Sequence, residues 1–85
     1  MSIDTELIHA IGTVLVECSA RTPPNARAIT TFVRPYVRTP ATVADVTTHL
    51  LHLEGRGDVR RHADPDDPAL LSWSLTASGK VRFAV

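Results

Sequence analysis

Apolar residues recur at helical spacing along the first part of the chain. Over residues 4–19 the spacing alternates between three and four, which predicts an amphipathic helix with one buried stripe. Asn25 is a good N-cap residue and opens a second predicted helix over residues 25–36, which Pro35 is expected to end or bend. The residues expected to point inward are Leu7, Ile8, Ile11, Val14, Leu15 and Cys18 in the first helix and Ala28, Ile29, Phe32 and Val33 in the second.

The clearest period lies in residues 41–54, which predict a third helix. Its inner face is expected to carry Val43, Val46, Leu50 and Leu53. Thr39 or Thr42 would cap its start. Gly55 and Gly57 follow the last periodic residue, where glycine commonly ends a helix.

Two short stretches after the third helix have the character of strands. Residues 59–62 and 70–75 predict a pair of strands joined by a polar loop. In the second strand large apolar residues alternate with serines, which places Trp73 in the core. Residues 76–79 are predicted to form a turn and residues 80–85 a short extended or frayed tail. The predicted fold class is therefore α+β, a three-helix bundle followed by a two-stranded antiparallel ribbon.

Length and composition favour a single small domain over residues 1–85. The chain has 85 residues, of which 44% are hydrophobic, enough apolar surface for one core. No apolar run is long enough to cross a bilayer, and no basic region leads into an apolar signal segment, so we expect a cytoplasmic protein without a membrane partner. Cys18 is the only cysteine and is expected to be a buried thiol.

The charges cancel in number but are unevenly distributed. Nine basic and nine acidic residues give a formal net charge of zero, whereas dedicated DNA-binding proteins usually carry a positive charge. Most of the basic residues are arginines in the middle of the chain, and arginine makes forked hydrogen bonds to phosphate. An acidic loop holds Asp64, Asp66 and Asp67 and would be repelled by a DNA groove.

The residues at the joints of these elements resemble those of a known group of proteins. Leu53-Glu54, Gly57 and Val59-Arg60 are similar to the passage from a recognition helix into the first strand of a wing. The other residues that carry the resemblance are Thr42-Val43, His49-Leu50 and Trp73-Ser74-Leu75-Thr76 with Gly79. Over nearly its whole length the chain thus resembles the winged helix-turn-helix domains of MarR-, PadR- and ArsR-like transcription regulators.

The resemblance implies a winged helix that binds double-stranded DNA. The third helix would lie in the major groove, and residues of the wing and of the helix start would hold the phosphate backbone. The residues expected to read or approach base edges are Thr42, Asp45, Thr48 and His52. Those expected to contact the backbone are Arg38, Arg56, Arg60 and Arg61. Two copies of the chain would pair if the site has two half-sites about one DNA turn apart.

A second interpretation remains open. Winged helix domains also serve as protein-interaction modules, and a neutral charge, a third helix without lysine or arginine on its exposed side, and the acidic loop all favour that role. In that case the arginines would form a solvated face that pairs with carboxylates. The carboxylates available for such pairs are Asp58, Asp64, Asp66 and Asp67.

Other kinds of site are not expected. His49, His52 and His62 could be imagined around a metal with Cys18, but no tight histidine or cysteine pair repeats in the sequence. There is no glycine-rich phosphate loop and no recognisable nucleophile motif. We therefore expect neither an enzyme nor a protein with a metal or cofactor.

Overall fold

The computed structural model describes residues 3–67 and 70–83 of the chain. The elements in order are α1 (Thr5–Glu17), α2 (Ala26–Phe32), a 3-10 turn (Arg34–Tyr36), α3 (Val43–Gly55), β1 (Val59–Ala63), β2 (Leu71–Leu75) and α4 (Ala77–Phe83). The predicted α+β class, with three helices followed by an antiparallel strand pair, is confirmed, and α4 adds to it. No helix within the described residues is long and apolar enough to cross a membrane.

The first helix packs one stripe of side chains into the core, as its spacing predicts. The Asp4 carboxylate caps it by accepting hydrogen bonds from the backbone N–H groups of Glu6, at 3.0 Å, and Leu7. The predicted stripe is buried up to Leu15. Cys18 is half-buried rather than buried, because it lies just beyond the last helical residue.

The second helix is shorter than the predicted range of 25–36. Asn25 caps it, with its side-chain oxygen 2.8 Å from the N–H of Ala28, but the helix ends at Phe32 and Pro35 lies in the 3-10 turn that follows. The inward placement of Phe32 is wrong, since its side chain is 50% exposed. Ile29 and Val33 centre the buried face, and at about 100° per residue Phe32 falls to its side.

The third helix buries a face centred on Val46 and Leu53, and the sequence misplaced one of its residues. Of the four predicted inner residues, Val43 is 43% exposed, so its placement in the core is wrong. It begins the first turn, at the edge of the buried arc, while His49 completes the arc on the other side.

The buried His49 ties α3 to the start of α1. Its Nδ1 lies 2.7 Å from the Asp45 carbonyl, and its Nε2 lies 3.0 Å from the backbone nitrogen of Asp4. Because a backbone N–H only donates, Nε2 must accept, and the proton of the neutral ring is then on Nδ1. One imidazole therefore links the N-terminus of α1 to the middle of α3.

The two strands form a wing whose inner face joins the core. The antiparallel register pairs Val59 with Leu75 and Arg61 with Trp73. Trp73 is confirmed as a core residue, with 2% of its surface exposed. The backbone of Trp73 also donates a hydrogen bond to the Pro24 carbonyl at 2.9 Å, which holds the wing against the segment that leads into α2.

The predicted turn at 76–79 and extended tail at 80–85 are wrong over the described residues, where the chain forms α4. Thr76 acts as a helix cap, with its hydroxyl oxygen accepting the N–H of Gly79 at 3.1 Å. Phe83 lies flat against α1, and a Cβ built on Gly12 would be 2.2 Å from its ring. Tertiary packing thus stabilises a helix of only seven residues. Residues 84 and 85 lie outside the described part.

Candidate nucleic-acid interface

The side of α3 that faces away from the core is the candidate interface. We call it the outer face; it consists of Ala44, Thr48 and Leu51, with Val43 and Thr47 along one edge and Asp45 and His52 along the other. Leu51 is 46% exposed and lies near the middle of this face. Sequence reasoning missed Leu51 because it considered only polar residues as candidates, although counting 100° per residue places Leu51 opposite the buried arc.

Thr42 and Asp45, both predicted to approach bases, are bonded to each other. The Thr42 hydroxyl oxygen accepts the N–H of Asp45 at 3.1 Å, and the Asp45 carboxylate accepts the N–H of Thr42 at 3.1 Å. This capping box satisfies backbone donors at the start of α3. The same hydrogen bonds, from the backbone and then the side chain of Thr42, hold the pKa of Asp45 below its ordinary value.

The two threonines in the middle of α3 also use their hydroxyl groups internally. Thr47 donates to the Val43 carbonyl at 2.8 Å, and Thr48 donates to the Ala44 carbonyl at 3.0 Å. His52, by contrast, is exposed, and its imidazole makes no hydrogen bond to any described residue. Of the four predicted base-reading residues, His52 alone keeps its full hydrogen-bonding capacity for a ligand.

Of the four arginines predicted to contact the DNA backbone, two form ion pairs with carboxylates of this protein. Arg61 forms a two-point ion pair with Glu54, with Nε 2.7 Å from one carboxylate oxygen, and its guanidinium lies 5.7 Å from the centre of the Trp73 ring. The hydrogen bond between them lowers the pKa of Glu54 and raises that of Arg61. Arg61 therefore holds the wing against the end of α3.

Arg56 belongs to a second internal cluster, around the buried Asp58. The carboxylate of Asp58 lies 3.3 Å from Arg56 and 3.0 Å from Arg82 of α4. Neither of its oxygens accepts a well-aligned hydrogen bond from the described residues, so the pairing is mainly one of charge. The arrangement joins the start of the wing to α4.

The side chains of the other two arginines predicted to contact the DNA backbone point into solvent. The Arg38 side chain is 95% exposed and reaches Glu6 only at 3.9 Å, too long for a strong pair. Arg60 lies on the side of the wing opposite Arg61, because neighbouring residues of a strand face opposite ways. It makes no ion pair within residues 3–67 and 70–83.

A groove beside α3 contains an arginine that sequence reasoning left without a role. The groove has a volume of about 500 Å³ and runs between α2, Thr47 of α3 and Trp73 of the wing. Arg27 lines it from α2, is exposed, and has no ion pair among the described residues. In the sequence, the signal that could have drawn attention to Arg27 is its position at the start of the second predicted helix, two residues after the cap Asn25.

The acidic loop of the wing is organised by its own first residue. One carboxylate oxygen of Asp64 accepts the backbone N–H of Asp66 at 2.8 Å and that of Asp67 at 3.3 Å. The loop thus has a defined turn that presents negative charge. Among the described residues, no group of three histidine, cysteine or carboxylate side chains is arranged to hold a metal ion.

Acid is expected to weaken the start of α3 through Asp45. A carboxyl group whose pKa is lowered by folding stabilises the fold above its unfolded-state pKa, here the ordinary 3.8, and that stabilisation is lost as the pH falls through the lower folded-state value. The difference in unfolding free energy between the parent and Asp45→Asn should therefore shrink between about pH 6 and about pH 2.5. The control is Asp66→Asn, because the carboxylate of Asp66 accepts no hydrogen bond from the described residues. A difference that is constant with pH contradicts the prediction.

Solved structures that resemble this chain are regulators of transcription. An apo mutant of ZitR from Lactococcus lactis matches with a TM-score of 0.73 and 20% identity, over 94% of this chain and 53% of ZitR. FabT from Streptococcus pneumoniae, solved in complex with DNA, matches with a TM-score of 0.70 and 19% identity, over 98% of this chain and 51% of FabT. PcaV from Streptomyces coelicolor, solved with its natural ligand, matches with a TM-score of 0.66 and 21% identity, over 96% of this chain and 51% of PcaV.

These neighbours are winged helix proteins of the MarR family, and the likeness establishes that this chain folds as a winged helix. The expected resemblance is thereby confirmed. This chain spans about half the length of the structures that it matches. No protein-family model matches the sequence, and no curated protein is significantly similar to it in sequence.

Proposed function

We propose that this chain is a DNA-binding domain of a transcription regulator, with α3 in the major groove. The observation that carries the proposal is the match to FabT, which was solved in complex with DNA and whose fold this chain reproduces over 98% of its own length. A winged helix places one face of its third helix against the bases. In this chain the corresponding outer face contains none of the buried residues of α3. A cytoplasmic location goes with this proposal.

The eight predicted residues are proposed to divide by role. Arg60 and Arg38 are the exposed residues free to contact phosphate, and Arg27 joins them from the groove beside α3. Thr48 and His52 face the bases. The remaining four hold the interface in shape and contact DNA only secondarily; they are Thr42, Asp45, Arg56 and Arg61.

Salt dependence tests the phosphate contacts. In a titration of a mixed-sequence duplex followed by fluorescence anisotropy, the logarithm of the binding constant should fall with the logarithm of the salt concentration by about 0.9 for each phosphate neutralised. Arg60→Ala should weaken binding to all sequences and reduce this slope by about 0.9. An unchanged slope would remove Arg60 from the interface.

The matched control is Arg21→Ala, which also removes one exposed arginine. Arg21 lines a cleft with Cys18 and Tyr36, and no residue of α3 or the wing lines that cleft. Its removal should leave the slope unchanged apart from a small long-range effect of net charge. If the parent protein fails to bind any duplex at low salt, the proposed function is wrong.

A protein-interaction module is the second candidate, and the exposed apolar side chains beside α3 favour it. Val43 and Leu51 of the outer face and Leu70, just before the second strand, are all large and exposed. Retention on heparin at low salt separates the two functions, because a DNA-binding domain should be held and a neutral interaction module should pass through. Pairing of two copies of the chain stays a prediction, which sedimentation of the free and DNA-bound protein would measure.

A further inference from the structure

The outer face of α3 offers methyl groups where a base-reading helix often offers charged or amide groups. We infer that α3 recognises thymine through its 5-methyl group, so that the preferred DNA has thymines at the positions that Ala44, Thr48 and Leu51 face. The inference rests on the proposed function and specifies what that interface reads.

The hydrogen bonds within α3 carry the first step. Thr47 and Thr48 each donate their only hydroxyl hydrogen to the carbonyl four residues earlier, at 2.8 Å and 3.0 Å. With its hydrogen committed to the helix, each hydroxyl can only accept from a ligand, and the γ-methyl is the apolar group that each side chain presents. A donor bond from either threonine to a base would require breaking a bond already made.

The residues around the threonines carry the second step. Val43 and Leu51 are close to half-exposed, Ala44 in the first turn is exposed as well, and Thr48 is half-buried. From residue 46 to residue 53 the helix has no lysine, arginine, aspartate or glutamate. The forked contact by which arginine or lysine reads guanine is therefore not available from this part of α3.

The chemistry of the major groove carries the third step. Among the four bases, thymine alone presents an apolar group there, its 5-methyl, and alanine, threonine and other apolar side chains are suited to contact it. A face of methyl groups gains free energy where it covers another methyl and loses it where it strips water from an amino group or a carbonyl. At the positions that they face, Ala44, Thr48 and Leu51 thus favour thymine over guanine and cytosine.

The test begins by selecting preferred duplexes from a randomised pool with the intact protein. Each thymine of the selected site is then replaced by uracil, which keeps both carbonyls and lacks only the methyl. At each contacted position this replacement should weaken binding about fourfold, the factor that burial of one methyl group corresponds to. Placing 5-methylcytosine where cytosine stands at such a position should strengthen binding about fourfold for the same reason.

A matched pair of variants assigns the methyl on the protein side. Thr48→Ser removes the γ-methyl and keeps the hydroxyl bond to Ala44. Thr13→Ser makes the same change on α1, where the hydroxyl likewise bonds the carbonyl four residues earlier, at 2.9 Å. Thr48→Ser should weaken binding to the thymine site about fourfold. In this variant, replacing the thymine that Thr48 contacts by uracil should cause no further loss of affinity. Thr13→Ser should change neither the affinity nor the effect of uracil.

The outcomes separate the inference from the function on which it rests. Duplex binding that is salt-dependent but insensitive to uracil at every position overturns thymine-methyl recognition and leaves DNA binding intact. A uracil effect of the same size in the parent and in Thr48→Ser, at every position, assigns the contact elsewhere and overturns the role of Thr48. Absence of duplex binding at low salt overturns both, and the methyl-rich face is then one that meets a polypeptide.

Discussion

Trp73→Ala is expected to lower the free energy of unfolding by about 3–5 kcal/mol, which is the cost of removing a large aromatic side chain from a packed core. Trp73 is almost wholly buried and is the largest residue by which the second strand joins the core. A small domain has about 5–15 kcal/mol of stability in total, so this one change removes a large part of it. Urea unfolding followed by circular dichroism measures the loss without relying on tryptophan fluorescence.

The control for this prediction is Leu70→Ala, next to the same strand. Leu70 is 44% exposed, so its truncation should change stability by no more than about 0.5 kcal/mol. Equal costs for the two variants would mean that the wing contributes little to the core.

The second large effect is expected at Gly79, where an added methyl group has no space. A Cβ at this position would lie 2.0 Å from the backbone carbonyl oxygen of Asp58 and 3.0 Å from the Leu75 side chain. Because the nearest atom belongs to the backbone, the strain cannot be relieved by turning a side chain. Gly79→Ala should therefore cost about 3 kcal/mol, at the upper end of what overpacking costs, and should displace α4 from the wing.

Gly55→Ala adds the same methyl group where there is room for it, and it should raise the free energy of unfolding instead of lowering it. No atom lies within 4 Å of a Cβ built on Gly55, and the residue has no positive φ. Alanine there should stabilise the protein by about 0.4–1 kcal/mol, because it restricts the unfolded chain. Thermal unfolding of both variants gives the comparison. Gly79→Ala as stable as the parent would show that α4 does not need this close approach.

The sequence predicted the helices and strands whose periodic pattern is long, and missed the element that depends on distant contacts. Residues 41–54 have a clear helical period, and α3 covers Val43–Gly55. In α4 the local signals were a threonine and a glycine, which are equally typical of a turn. What makes them a helix is the Thr76 cap together with packing of Gly79 on Asp58 and of Phe83 on Gly12, and neither contact has a local signature.

The residue types of the candidate site were predictable, but their bonding was not. Counting along α3 placed Thr48 and His52 on its exposed side; in the structure His52 is exposed and Thr48 is half-buried. The sequence could not show that Thr48 spends its hydroxyl on the helix backbone. Nor could it show that Arg61, rather than Arg60, shares the inner side of the wing with Trp73 and pairs with Glu54. Both results depend on register and side-chain rotamer, which composition and spacing leave open.

The imidazole of His49 has a consequence for how α3 can change. Its hydrogen bond to the Asp4 backbone joins α3 to the start of α1, and together with the buried apolar residues on either side of it this bond fixes the position of the helix from within the protein. Substitutions at Ala44, Thr48 or Leu51 therefore leave the helix where it is. Those three side chains can therefore be exchanged for others, and a new binding preference can be acquired, without a change of the fold.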